Sequence, residues 1–223
     1  MKHALSVFKA MLVKDLQREL RSREIFISGF FLSVILLCIM YFATTASDLA
    51  YEQMGAGSLW LCIAFGGTLG LNRSHQSEMV NGCYRALILA PVDGGWLYLA
   101  KVTTNFLLSS FTLLLLVPLV ALFFNINIWN SLASLAASLL LGNLAFVALG
   151  TCVVVITANT RMNDVLFPVI QLPLVVPVLI AGVNSSAVAL AGEDISEWLQ
   201  FLGALNLVFL SAGFLLYDFL LEE

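Results

Sequence analysis

The chain has 223 residues, 61% hydrophobic and only 11% charged, with ten Lys and Arg, fourteen Asp and Glu, and a mean hydropathy of +0.98. A soluble domain carries about a quarter of its residues as charged side chains. The shortfall excludes a soluble enzyme, a disordered chain and a nucleic-acid-binding protein, and leaves lipid as the solvent for most of the surface.

The first 24 residues (1–24) contain Leu5, Phe8, Leu12, Leu16 and Leu20 at steps of three and four, with Lys14, Arg18 and Arg21 on the other side. This pattern predicts an amphipathic helix lying in the headgroup layer, its basic face toward anionic lipid. Lys9 and Glu19 encroach on the apolar stripe. The helix is either a surface anchor or a lever that touches a cytoplasmic partner. A basic start before an apolar run also suits a signal peptide, but both parts are too long and no small-x-small site follows, so the first apolar run is expected to stay in the protein.

Residues 25–223 read as one all-α polytopic domain. A bilayer core of ~30 Å requires about 20 apolar residues in a helix whose backbone groups are all paired internally. Six runs qualify, at 25–43, 54–71, 102–124, 132–156, 165–183 and 198–217, and none contains Lys, Arg, Asp or Glu. With six crossings, the termini share a side with the connections 72–101 and 157–164, and these regions hold all ten basic residues. The opposite connections carry only Asp48, Glu52, Glu193, Asp194 and Glu197. The positive-inside rule therefore predicts a multi-pass membrane protein with both termini cytoplasmic. Trp60, Trp129 and Trp198 are expected at the outer boundary as interfacial anchors, and Trp96 and Tyr98 at the inner one.

The connection 72–101 is long for a mere link. Within it, 78–90 predicts a short cytoplasmic helix, interrupted by Gly82 and ended by Pro91 and the turn after it. Leu87 and Leu89 are too apolar for a free loop. The helix either folds back on the spans or serves as the docking surface of a soluble subunit. Further along, Gly66, Gly67 and Gly70 in the second span, and Gly142, Ala145, Ala148 and Gly150 in the fourth, predict close helix contact. Pro168, Pro173 and Pro177 interrupt the fifth span, which is therefore expected to be interior and bent. They mark either a structural kink or a gate.

No catalytic or metal-binding constellation stands out. The four cysteines, Cys38, Cys62, Cys83 and Cys152, share no CxxC spacing and read as small hydrophobes. The spans carry no carboxylate or histidine for a proton relay, and no GxxxxGK[ST] loop is present to bind ATP. Any energy input must come from another subunit.

Three blocks resemble the haem exporter protein B family, the membrane subunit of the ATP-binding-cassette (ABC) complex of bacterial cytochrome c maturation. The first is the run from Lys14 and Asp15 through Glu19 and Arg21 to Glu24. The second extends from Asn81 and Gly82 through Leu87, Leu89 and Pro91 to Lys101, and the third from Pro168 through Pro173 to Pro177. Where the family has acidic residues around its glycine and a Leu-Glu after it, this chain has Asn81, Gly82, Tyr84 and Arg85. The resemblance implies a permease-like subunit with no catalytic centre, with ATP bound on a separate ABC ATPase. A haem-handling membrane protein and a haem chaperone would be further partners, and haem itself is expected in the complex rather than on this chain with any assigned ligand. The coupling residues it implies are Asn81, Gly82, Tyr84, Arg85, Leu87, Leu89, Pro91 and Lys101. The open alternatives are the permease of another ABC exporter, for a glycan, lipid, drug or peptide, and a non-transporting assembly scaffold.

Overall fold

In the computed structural model the backbone is described for residues 2–22, 24–44, 50–80, 94–158 and 163–222, and side chains for 8–18, 26–44, 50–76, 94–157 and 165–217. Among these residues there is no strand. Helix α1 (Lys2–Ser22) precedes α2 (Glu24–Thr44), the first span. The second span is continuous through α3 (Tyr51–Cys62), a π-helical turn (Ile63–Gly67) and α4 (Thr68–Val80). Spans three to six are α5 (Gly94–Phe123), α6 (Leu132–Ala158), α7 (Asn163–Leu190) and α8 (Ser196–Glu222). Six helices are thus long and apolar enough to cross a bilayer, and the expected all-α polytopic class is the one observed. The expected short helix at 78–90 falls largely outside the described residues.

Spans two and four form the centre of the bundle. Of their most apolar stretch 67% is buried, against 33% for span five and 17% for each of spans one, three and six. Span four packs on spans five and six, span two on spans one and five, and span three on span six and on α1. The expected small residues make these approaches possible. A Cβ on Gly142 would lie 2.1 Å from the Trp60 indole, and one on Gly182 2.4 Å from it. Trp60 is consequently clamped between spans four and five at 1% exposure, its Nε1 donating to Ser186 Oγ at 2.9 Å. Ser138 completes the cluster through hydrogen bonds to the Ser185 and Ser186 hydroxyls.

Three aromatic and proline expectations are corrected here. Trp60 is not a boundary anchor, because helix α3 starts at Tyr51 and carries it inside the bundle. Tyr98 is fully buried, its hydroxyl donating to the Ala148 carbonyl at 3.0 Å, with the Phe209 carbonyl at 3.3 Å. Trp129 is 78% exposed. Nor is span five the interior one. Its inward face is Gln171, Val175, Val178 and Ala181, all at 0% exposure, whereas Pro173 and Pro177 are exposed and Pro168 half-buried. Each proline removes a backbone donor to the carbonyl four residues earlier. With the two exposed prolines on the outer face, the buried face keeps its packing, and the helix continues through all three.

Turns with left-handed backbone end two helices at the same end of the bundle. Gly192 has φ +78°, and the Gly192 N–H to Ala189 O and Glu193 N–H to Val188 O bonds close the end of α7 in a Schellman arrangement. Asn125, at φ +51°, similarly follows α5, with Ile126 N–H on Ala121 O.

Candidate functional site

The side-chain ion pairs seen among the described residues gather at the opposite end of the bundle. Helix α1 follows its predicted pattern: Met11 is buried, Phe8, Leu12 and Leu16 half-buried, and Lys9, Lys14 and Gln17 exposed. Its apolar face lies against the start of α5, which brings Asp15 to Lys101. Lys101 Nζ donates to Asp15 Oδ2 at 2.8 Å, and each side chain is only 10% exposed. Lys14 Nζ lies 3.2 Å from the other carboxylate oxygen, but its own side chain is 44% exposed. Neighbouring positions on a helix do not face each other, and an exposed pair contributes little. The joint between α1 and span three is therefore the Asp15–Lys101 contact.

A pair of this kind is sensitive because each side chain has been largely taken out of water. Removing one partner leaves a buried charge uncompensated, at a cost of about 3–5 kcal/mol. Beside the joint, Ser74 Oγ donates to Asn105 Oδ1 at 3.2 Å, tying span two to span three. Asn72 and His75 are both buried on the same stretch of span two. These polar contacts join α1, span two and span three at this end of the bundle.

The predicted site residues divide sharply. Asp15 and Lys101, assigned to separate segments by their position in the sequence, come together. Lys14 sits beside them on the exposed side. Glu19 and Arg21 lie on α1, with side chains outside the described residues, and Asn81, Gly82, Tyr84, Arg85, Leu87, Leu89 and Pro91 lie outside them altogether. Pro168, Pro173 and Pro177 belong to another face. Among the described residues no group of three His, Cys, Asp or Glu side chains is placed to hold a metal ion. Sequence reasoning missed Asn72, Ser74, His75 and Asn105. Their signal was available: polar side chains entering the apolar runs at the end that carries the basic residues.

The sequence profile of the CcmB protein family matches residues 6–215, a stretch that contains both Asp15 and Lys101. The chain belongs to the CcmB protein family. Relatives named Heme exporter protein B agree along nearly their whole length. That of Paracoccus denitrificans is 27% identical over 203 residues, 91% of this chain and 93% of its own. That of Pseudomonas aeruginosa is 25% identical over 201 residues, 90% of each chain, and that of Haemophilus influenzae 25% over 191 residues, 85% and 84%. The resemblance drawn from the three sequence blocks is borne out by CcmB membership, and the chain is a multi-pass membrane component of that family.

Proposed function

We propose that this chain is the permease-like membrane subunit of an ABC-type complex in cytochrome c maturation, seated in the bacterial inner membrane with both termini cytoplasmic. The observation that carries the reading is the CcmB family match along 6–215. The placement of all ten Lys and Arg on one side of six spans supports the orientation. The chain itself performs no catalysis. A separate ATPase subunit binds ATP at the cytoplasmic end, and haem is handled together with a haem-handling membrane protein and a haem chaperone, whose loaded form is released by the work of the ATPase.

In this reading the second connection docks the ATPase. Leu87 and Leu89 enter an apolar groove, Arg85 contributes at the rim, and Asn81, Gly82, Tyr84 and Pro91 shape the segment. Displacement of that segment reaches Lys101, and the ion pair passes it to Asp15 and so to α1, where Lys14, Glu19 and Arg21 engage headgroups. Pro168, Pro173 and Pro177 supply a bend, or the gate, in span five. Burying a leucine is worth about 2 kcal/mol, and a rim charge usually less than about 1 kcal/mol. Co-purification with a tagged ATPase partner tests the assignment. Leu87→Asp is expected to release the ATPase while the variant remains abundant in the membrane, and Arg85→Ala to weaken the complex only at raised salt. An abundant Leu87→Asp variant that retains the ATPase in full would contradict it.

A further inference from the structure

A cavity of about 70 Å³ lies among spans one to four, beside the π-helical turn of span two. A π turn widens a helix locally. Here it coincides with a backbone approach between Gly29 and Gly66, where a Cβ on Gly66 would lie 3.0 Å from the Gly29 carbonyl oxygen. Side chains are therefore missing on the span-one and span-two walls. Half-exposed Phe26 on α2, and Asn105, Ser109 and Thr112 on α5, line the wall where spans one and three adjoin.

The serine and threonine hydroxyls of the lining are committed as donors to backbone carbonyls. Ser33 Oγ donates to the Gly29 carbonyl at 2.9 Å, Ser109 Oγ to Phe106 O at 3.2 Å, and Thr112 Oγ1 to Leu108 O at 3.2 Å. With the Ser109 proton committed, Ser109 accepts from Asn143 Nδ2 at 2.9 Å, and Ser110 accepts from the same nitrogen at 3.1 Å. The Asn143 amide thus turns its nitrogen toward the two hydroxyls. Asn143 is at 0% exposure and lines the cavity, and its Oδ1 has no hydrogen-bond partner among the described residues. The unmet group at full burial is thus an acceptor, with the amide nitrogen of half-exposed Asn105 as a donor elsewhere in the lining, and an unmet acceptor at membrane depth is costly. Among the described residues no Asp, Glu, Lys or Arg lines the cavity, so an ionised group entering it would find no opposite charge there.

We propose that this cavity binds the uncharged hydroxyl head of a membrane-dissolved lipophile, which donates to Asn143 Oδ1 while its chain lies out through the gap between spans one and three. One water needs about 10–15 Å³ by the same measure, so the space admits a hydroxyl and a few methylenes but not a porphyrin ring. The site is thus separate from haem handling and stands whether or not that function holds.

Photolabelling of the full chain in lipid nanodiscs tests it, with a diazirine-bearing long-chain alcohol compared against the same chain ending in a carboxylate at neutral pH. The alcohol should label segments 105–116 and 143–147, the carboxylate should label them several-fold less, and unlabelled alcohol should compete. Thr112→Phe, which fills the gap between spans one and three, should abolish this labelling. Asn143→Leu, which removes the acceptor, should reduce it roughly fivefold, as expected for one lost hydrogen bond. Should either variant fail to elute as a folded species, Leu108→Phe at the same gap serves in its place, with loss of labelling expected. Equal labelling by alcohol and carboxylate, labelling that survives in the folded gap variants, or no alcohol labelling of these segments would each overturn the proposal.

Discussion

At the end of the bundle where α1 meets span three, Asp15 and Lys101 form an ion pair with 10% of each side chain exposed. Around Trp60, the buried polar groups are neutral: an indole N–H, three serine hydroxyls and backbone carbonyls. Both regions bury polar atoms in helical walls of similar composition, yet they differ in the kind of group used. Near the aqueous boundary an ion pair can be held because water lies close and the opposite charge is supplied by a neighbouring helix. Deeper in, only groups that can be satisfied without ionisation are tolerated, and the contact is built from shape, with Gly142 and Gly182 flat against the indole. The comparison teaches that the ion-paired end can be loosened by electrostatics, whereas the centre can be changed only by repacking.

The largest expected effect attacks the charged region. Lys101→Met should lower the stability of the detergent-solubilised protein by about 3 kcal/mol, the lower end of the range for a broken buried pair, since it leaves the Asp15 carboxylate only the exposed Lys14 ammonium. Pairing it with Asp15→Leu should recover most of the loss, giving a large coupling energy in a double-mutant cycle of denaturant unfolding. Additive losses would mean that the two residues act separately.

Repacking at the centre comes next. Gly182→Ala places a methyl within 2.4 Å of the indole, and overpacking of this kind costs about 1–3 kcal/mol. Gly203→Ala serves as the control, because a Cβ there meets nothing within 4 Å. Thermal unfolding should separate the two glycines clearly; equal melting temperatures would refute the clamp. A smaller change follows from Trp60→Phe, which keeps a ring but deletes the donor to Ser186. It should cost about 1 kcal/mol plus some lost packing, and it should do so independently of salt, whereas exposed Lys14 variants should show weak, salt-dependent effects.

The smallest effect lies in the turn between α7 and α8. The Ser196 hydroxyl and backbone N–H both donate to Asp194 and hold its carboxyl below the ordinary aspartate range. A carboxyl depressed in the folded state contributes its full stabilisation above its unfolded pKa, and loses it as pH falls through the folded value. Amide protection factors at the start of α8, which correct for the intrinsic pH dependence of exchange, should therefore fall on acidification, and Asp194→Asn should flatten that dependence.

Much of the architecture was legible because it rests on composition. Six uncharged runs gave six spans, and steps of three and four from Phe8 to Leu16 gave α1. The errors arose where neighbouring helices, rather than local pattern, decide a residue's surroundings. Trp60 near the start of an apolar run reads as an interfacial ring, but α3 begins earlier, at Tyr51, and two glycines from other spans open a slot for it. Ser185 and Ser186 lie past the apolar run at 165–183, yet α7 continues to Leu190 and buries both. Three prolines suggested an interior span because freed carbonyls need partners, and the outer-face placement of Pro173 and Pro177 was invisible in a helix apolar nearly all round. The Asp15–Lys101 joint spans 86 positions of sequence, and no periodicity reports such a contact. Its members were marked for other reasons, Asp15 by the pre-span block and Lys101 by the end of the second connection.

The central claim is that the end of the bundle carrying this ion pair faces the cytoplasm, where an ATPase can reach it. Single cysteines at Ser77, Asn127 and Glu193, placed in a chain whose Cys38, Cys62, Cys83 and Cys152 are replaced by alanine, test this directly with a membrane-impermeant thiol reagent. Asn127 and Glu193 are exposed at the opposite end. In cells whose outer membrane is permeabilised and inner membrane intact, Asn127→Cys and Glu193→Cys should react and Ser77→Cys should react only after lysis. Labelling of Ser77→Cys before lysis, with the other two protected, would contradict the orientation and the proposed docking end with it.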